Sequence, residues 1–121
     1  MSLLHSFRLP FPISVNHFYN THGHYKFISE KGLIYNKQVL TIIKELKITT
    51  IDRPIKMEIY VVEPNRLRRD LDNLLKCTLD SLVKASFIKD DHLIHDLRIY
   101  KKSEYDPEKK GYIRVEVFQH P

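Results

Sequence analysis

Two aspartates stand inside a basic run, and this combination is the clearest chemical signal in the chain. The run reads Arg66-Leu-Arg68-Arg69-Asp70-Leu-Asp72-Asn-Leu-Leu-Lys76. A surface that only grips a polyanion gains from the three arginines but loses from the two aspartates, because carboxylates and phosphates repel one another. A hard divalent cation removes this conflict, since it binds carboxylate oxygens and then accepts a phosphate oxygen as a further ligand. The pattern therefore indicates metal-dependent phosphodiester chemistry.

Helix capping is a structural alternative for the same aspartates. Asp is favoured at helix starts, where its carboxylate accepts hydrogen bonds from free N–H groups and meets the positive end of the helix dipole. Ion pairing with the neighbouring arginines is a second alternative, worth only about 0 to 1 kcal/mol at a solvated surface. Neither accounts for Asp90 and Asp91, which precede a strand-like segment. Three carboxylates are what a site for one or two divalent metals requires.

Length and charge limit the classes of protein that the chain can represent. Its 121 residues, of which 42% are hydrophobic, suit one domain with a modest core that would benefit from oligomerisation. We therefore expect a single domain over residues 1–121. Twenty Lys and Arg against fifteen Asp and Glu give a formal charge of +5, which favours an anionic partner. Nucleic acid is the leading candidate.

Other classes are disfavoured by what the sequence lacks. No segment approaches the roughly 20 apolar residues of a membrane-spanning helix, so we expect no membrane association. The segment Met1 to Pro12 lacks the charged and long apolar regions of a signal peptide, so a cytosolic location is expected. The single cysteine, Cys77, rules out an intramolecular disulfide and any cysteine-based zinc cluster.

Hydrophobic periodicity predicts an α+β fold in the order β-α-β-α-β-β, with two helices and a mixed sheet. The predicted elements are a strand at 4–9, a helix from an N-cap at Ser29 to about Leu46, a strand at 55–62, a helix at 71–83, and strands at 92–101 and 112–118. The last two strands are predicted to form a hairpin. Residues 10–27 show no stable period and are predicted to be an irregular loop.

The second predicted helix decides how the candidate site residues can meet. At about 100° per residue, Asp70 and Asp72 would point roughly 160° apart on a helix, so Asp70 must precede the first turn if both bind one metal. Asp72 and Lys76 are four residues apart and lie on one flank. They could form an ion pair worth about 0.2 to 0.5 kcal/mol. Alternatively, Lys76 meets the scissile phosphate or the developing charge.

The loop before the first helix mixes aromatic and polar groups suited to contact with nucleic acid. Asn16 and Tyr19 are our candidates for such contacts, beside the phosphate-binding candidates Arg66, Arg68 and Arg69. An ordinary surface loop whose aromatic side chains pack on the core is the alternative, and the sequence does not separate the two.

Several blocks of the chain resemble the RusA-type endodeoxyribonucleases, small Holliday junction resolvases often encoded by phages and prophages. The resembling residues are Arg68-Arg69-Asp70-Leu71-Asp72-Asn73-Leu74 with Lys76, then Asp80, Leu82, Lys84, Ala85, Phe87 and Asp90-Asp91, and upstream Pro10-Phe11-Pro12-Ile13-Ser14-Val15-Asn16-His17-Phe18-Tyr19. The resemblance spans nearly the whole chain, and the spacing between blocks agrees as well.

This resemblance implies a site and a mode of action. Asp70, Asp72 and Asp91 correspond to the family's catalytic, metal-binding carboxylates, Lys76 corresponds to a basic residue important for cleavage, and Asp90 is a less certain neighbour. The family acts as a homodimer on four-way DNA junctions with Mg²⁺ or Mn²⁺. We therefore expect a crossover junction endonuclease of recombination and repair that binds branched DNA.

Topology raises a difficulty for this three-carboxylate site. A strand-helix-strand crossover places Asp72 at the start of the second helix and Asp91 beyond its far end, about 20 Å away at 1.5 Å per residue. Either the chain after the helix climbs back along it, or Asp91 joins the site from the other subunit. Two other functions stay open: a non-catalytic DNA-binding module, and an RNA-processing nuclease with the same metal chemistry.

Overall fold

The computed structural model describes residues 2–121, and Met1 lies outside the described part of the chain. The elements are β1 (Leu3–Pro10), α1 (Val15–Phe18), β2 (Tyr19–His22), β3 (Tyr25–Ile28), α2 (Glu30–Glu45), β4 (Ile55–Glu63), α3 (Leu71–Lys84), a 3₁₀ turn (Asp91–Leu93), β5 (Ile94–Tyr105) and β6 (Tyr112–Gln119). The predicted α+β class is confirmed, and the four longer strands and two long helices follow the predicted order.

A four-stranded mixed sheet in the order β1-β6-β4-β5 forms the centre of the fold. β6 is antiparallel to both β1 and β4, whereas β4 and β5 are parallel. The prediction of a terminal hairpin is therefore wrong, because β4 separates β5 from β6. Strand β4 is the most deeply buried strand, which explains why it occupies an inner position between two partners.

The core lies between one face of this sheet and the helices α2 and α3. Strands β4 and β6 alternate, and their inward side chains are fully buried, as expected for strands with one face packed on a core. The fully buried members of these two strands are Ile55, Met57, Ile59, Val61, Ile113, Val115 and Val117. From the helices, Val39 and Leu82 complete this layer.

Both long helices begin and end where the sequence predicts. Ser29 caps α2, and its hydroxyl accepts a hydrogen bond from the Gly32 amide at 3.1 Å. Helix α3 starts directly after Asp70 and buries the apolar face that contains Leu74 and Leu82. Within residues 2–121, none of the helices combines the length and apolar character needed to span a bilayer.

The segment 10–27 is the second point at which the prediction is wrong. It forms the one-turn helix α1 and an antiparallel β2–β3 hairpin, in which His22 pairs with Tyr25. Gly23 occupies the first of the two turn positions with a φ of +61°, a conformation that glycine adopts without strain. The strands have only four residues each, too few to show a period, so the Gly-containing two-residue turn was the available signal.

Asp106 provides a pH-dependent test of the fold. Its carboxylate accepts hydrogen bonds from the amides of Glu108, Lys110 and Gly111 at 3.0, 3.3 and 2.8 Å. These bonds, led by the one from Glu108, hold the pKa of Asp106 below its ordinary value of 3.8. A carboxylate with a lowered pKa stabilises the folded state above pH 3.8, and this contribution is lost as the pH falls through the folded-state pKa.

We therefore expect Asp106→Asn to lower the free energy of unfolding at pH 7 and to show a smaller deficit at pH 3, which lies below the ordinary pKa of 3.8. Urea unfolding of both proteins at the two pH values measures the difference. A deficit of equal size at both pH values would contradict the assigned role of the charge.

Candidate active site

The start of α3 carries the first two candidate carboxylates. Strand β4 ends at the buried Glu63, an irregular segment follows, and Asp70 occupies the N-cap position with extended backbone angles (φ −94°, ψ 137°). Asp70 therefore precedes the first helical turn, as joint coordination with Asp72 requires. Its side chain makes no capping hydrogen bond. The capping alternative thus loses the interaction on which it depends.

Both carboxylates are exposed and available to a ligand. Asp72 lies in the first turn of α3, where the helix dipole favours a negative charge. Among residues 2–121, no group forms an ion pair with Asp70 or Asp72. Asp70 lines a depression of about 510 Å³ that also contains the basic side chains of His17, Lys31 and Arg68. An acid without a partner thus lies within a basic surface.

The three arginines of the motif have different environments. Arg66 and Arg68 are exposed, so both can reach a phosphate backbone. Arg69 is half-buried and directs its guanidinium inward, 3.4 Å from the Glu63 carboxylate and 3.1 Å from the Leu67 carbonyl. Arg69 thus also has a structural task that the sequence did not indicate.

Lys76 pairs with Asp80, not with Asp72. Its Nζ donates to the Asp80 carboxylate at 3.1 Å, one turn further along α3. The predicted alternative of an ion pair between Lys76 and Asp72 is therefore wrong. The Tyr19 ring lies 5.7 Å from the same Nζ, and this contact helps to draw the side chain towards Asp80.

Tyr19 connects the β2–β3 hairpin to α3. Its hydroxyl donates a hydrogen bond to Asp80, and Lys26 lies over its ring at 4.5 Å. Partial burial, together with the hydrogen bond to Asp80 and its negative charge, raises the pKa of Tyr19 to about 12. Tyr19 and Asn16, the two loop residues predicted to contact nucleic acid, line the same open depression with Lys26.

Asp91 belongs to a second acidic group near the end of α3. It begins the 3₁₀ turn, and it lines a cavity of about 270 Å³ with Asp80 and Asp90. A hydrogen bond shared with Asp90 raises the pKa of Asp91, and slight burial and the charges of Asp90 and Asp80 act in the same direction. The positive charge of Lys76 opposes these effects. Lys76 pairs with Asp80 and the His92 ring lies 3.4 Å from Asp90, whereas no ion pair is found for Asp91 among residues 2–121.

The structure divides the predicted carboxylates between two locations. Asp70 and Asp72 lie at the start of α3, whereas Asp91 lies beside Asp80. Eight residues separate Asp72 from Asp80, about 12 Å of helix at 1.5 Å per residue. Within residues 2–121 there is no group of three His, Cys, Asp or Glu side chains placed to hold one metal ion. The described part of one chain thus does not bring Asp70, Asp72 and Asp91 together into one metal site.

Two contributors to this surface were missed as site candidates in the sequence. Asp80 links Lys76 and Tyr19, and its position four residues after Lys76 was the signal for it. Lys31 comes from α2 and reaches the depression beside Asp70 only through tertiary packing. No local pattern could have identified it.

Comparison with known proteins identifies relatives of this chain. The family model described as Endodeoxyribonuclease RusA matches residues 10–117. A crossover junction endodeoxyribonuclease of Enterobacteria phage HK97 is 38% identical over 98 residues, which covers 80% of this chain and 82% of the relative. Relatives of the same name from Escherichia coli O139:H28 (strain E24377A / ETEC) and Shigella sonnei (strain Ss046) are 39% identical with the same coverage.

The matched region contains both acidic groups, the motif arginines and Lys76. The fold and the match together define a small α+β protein of the endodeoxyribonuclease class. The chain belongs to the RusA family.

The contact between Tyr19 and Asp80 can be tested by titration. Asp80→Asn removes the negative charge that raises the pKa of Tyr19, so this pKa should fall from about 12 towards the ordinary value of 10, although burial keeps it above 10. NMR titration of ring-labelled tyrosine measures the change. Tyr60 is an internal control, because Glu58 raises its pKa to about 12 and should still do so. An unchanged Tyr19 pKa would contradict the contact.

Proposed function

We propose that this chain is a metal-dependent crossover junction endodeoxyribonuclease, which resolves four-way DNA junctions by paired hydrolysis of phosphodiester bonds. The observation that carries the proposal is the state of Asp70 and Asp72. Both are exposed at a helix start, and Asp70 makes no cap, yet both lie among basic residues. Relatives named crossover junction endodeoxyribonucleases support the choice of substrate.

The donor chemistry fits Mg²⁺ or Mn²⁺. The candidate ligands Asp70, Asp72 and Asp91 offer only carboxylate oxygens, which hard divalent cations prefer. A bound divalent cation would lower the pKa of an attacking water and stabilise charge on the phosphate. Lys76 would add positive charge on the flank of α3 between the two acidic groups. Arg66 and Arg68 would hold the DNA backbone through phosphate contacts.

A homodimer with shared sites accounts for the separation of the acids. We propose that Asp70 and Asp72 of one subunit meet Asp91 of the other, because the described part of one chain leaves the two acidic groups apart. A two-fold axis would then generate two equivalent centres, as two symmetric incisions in a junction require. Such an enzyme acts on cellular or phage DNA, and a cytoplasmic location fits that substrate.

Junction cleavage tests the proposal directly. Wild-type protein with Mg²⁺ should cut a labelled four-way junction symmetrically and leave linear duplex and single-stranded RNA intact. Asp72→Asn should lose about 100-fold or more in rate, because a metal ion supplies several kcal/mol of transition-state stabilisation. Asp96→Asn is the control, since this aspartate pairs with Arg98 on its own strand, β5, and is not a candidate metal ligand, so the rate should stay unchanged.

Other outcomes of this assay point to other functions. Binding of the junction without cleavage under Mg²⁺ or Mn²⁺ would indicate a DNA-binding module. Preferential cleavage of RNA would indicate a ribonuclease with the same metal chemistry.

Subunit mixing tests the shared site. Asp72→Asn and Asp91→Asn chains with different affinity tags are co-expressed, and the heterodimer is purified. If the site is shared, one centre is intact and the other carries both substitutions, so about half of the wild-type incision should return, as single cuts without pairing.

A heterodimer of Asp70→Asn and Asp72→Asn is the control. These residues belong to the same acidic group, so each of its centres carries one substitution and activity should stay absent. A site built within one chain predicts no recovery in either heterodimer.

A further inference from the structure

Glu63 is a buried carboxylate for which the proposed chemistry has no use. It is the last residue of β4, directly before the irregular segment that leads to Asp70, and its side chain is only 7% exposed. A buried charge is costly unless cations and hydrogen-bond donors surround it. The residues that compensate this charge therefore indicate what role Glu63 has.

Two cations from different parts of the chain compensate Glu63. The guanidinium of Arg69 lies 3.4 Å from one carboxylate oxygen, and Nζ of Lys101, from β5, lies 3.9 Å from the other. Lys101 also donates to the backbone carbonyl of Arg69 at 2.6 Å. That carbonyl belongs to the peptide bond that joins Arg69 to Asp70. The cluster thus acts on the backbone directly before the candidate metal ligand.

Arg69 also closes the segment between β4 and α3. Besides Glu63, its guanidinium donates to the Asn65 side chain at 3.0 Å and to the Leu67 carbonyl at 3.1 Å, and it lies 5.3 Å from the Phe11 ring. Residues 64–70 contain no helix or strand. Side-chain contacts of this kind therefore define the path of this segment.

The base of the cluster is attached to the main sheet. The Glu63 backbone carbonyl accepts a hydrogen bond from the Asp106 amide at 2.8 Å, and Glu63 is the register partner of Tyr105 on β5. Glu63 and Lys101 thus lie on two paired strands of the main sheet, whereas Arg69 lies on the segment that they hold. The main sheet therefore fixes the two residues that hold Arg69 in place.

We propose that Glu63 and Lys101 are positioning residues, which hold Arg69 so that the Asp70 carboxylate points to the metal with Asp72. The inference rests on the proposed function, since it assigns a role within that site. Neither residue touches DNA in this role. The Lys101 ammonium group contacts the Glu63 carboxylate and the Arg69 carbonyl. Its positive charge is therefore directed to the protein and not to a DNA phosphate.

The neighbouring Lys102 supplies a matched control. It has the same charge and belongs to the same strand, but its Nζ lies 5.9 Å from the Tyr60 ring and takes no part in the cluster. Lys101→Met and Lys102→Met remove the same charge one residue apart. Glu63→Gln keeps the size of the buried side chain and removes its charge.

The first experiment measures junction cleavage against Mg²⁺ concentration. Loss of a group that orients a metal ligand lowers metal affinity or activity about 10- to 100-fold. Lys101→Met and Glu63→Gln should therefore raise the half-saturating Mg²⁺ concentration or lower kcat by about 10-fold, with KM for the junction unchanged. Lys102→Met should match the wild type in Mg²⁺ dependence and kcat. A rise in KM alone for Lys101→Met would show a DNA contact and overturn the proposal.

The second experiment needs neither metal nor DNA. Hydrogen exchange of the metal-free protein should become faster at residues 65–72 in Lys101→Met and Glu63→Gln, while the β6 amides keep their protection. If the segment exchanges as in wild type, the positioning role is wrong, even where the melting temperature falls.

Absence of cleavage by wild-type protein would refute the proposed function alone, because the exchange data still decide whether the cluster holds the segment. If Glu63→Gln fails to fold, Lys101→Met, whose side chain is 39% exposed, carries the test.

Discussion

The parallel pairing of β4 with β5 is the constraint on which the arrangement of the site depends. Parallel neighbours need a crossover, and here α3 supplies it by running back along the sheet from the end of β4 towards the start of β5. Acids placed before and after this helix must then lie near its opposite ends. The separation of the two acidic groups is therefore a property of the topology. The homodimer proposed above would bring them together without rebuilding the fold.

Pairing within the protein decides which cations remain for DNA. The formal charge of +5 suggests a broadly basic surface, but several of the cations near the site are already compensated. Lys76 is held by Asp80, and Arg69 and Lys101 are held by Glu63. Arg66 and Arg68 keep their charge free at the surface. The basic motif thus combines an inner residue that shapes the segment with outer residues that can meet phosphates, a division that its sequence alone does not reveal.

The sequence predicted the features that depend on local pattern. Helix α3 has an apolar stripe long enough to fix its limits, and the angular argument placed Asp70 at the N-cap, where it lies. Predictions were wrong where residues distant in the chain decide which groups pair. Lys76 had an acid four residues away on either side, and Tyr19 on the hairpin, far away in the chain, favours Asp80. Likewise, turn chemistry predicted a β5–β6 hairpin, yet β6 gains more by pairing with β1 and β4 on both of its edges.

The β2–β3 hairpin is separate from the main sheet, and this has a consequence for motion. A two-stranded hairpin is marginal in water by itself, so its order comes from its attachments. These lie at its base, where Ser29 donates its amide to the Phe18 carbonyl at 2.8 Å and Tyr19 bonds to Asp80. The end at Gly23 has no comparable support, so the hairpin opens at a lower free energy than the core strands. Because the same Asp80 oxygen accepts hydrogen bonds from Tyr19 and Lys76, each local opening at Tyr19 removes one of the two donors on that oxygen and takes the Tyr19 ring away from the lysine. Motion of the β2–β3 hairpin thereby changes the surroundings of the Lys76 ammonium group on α3.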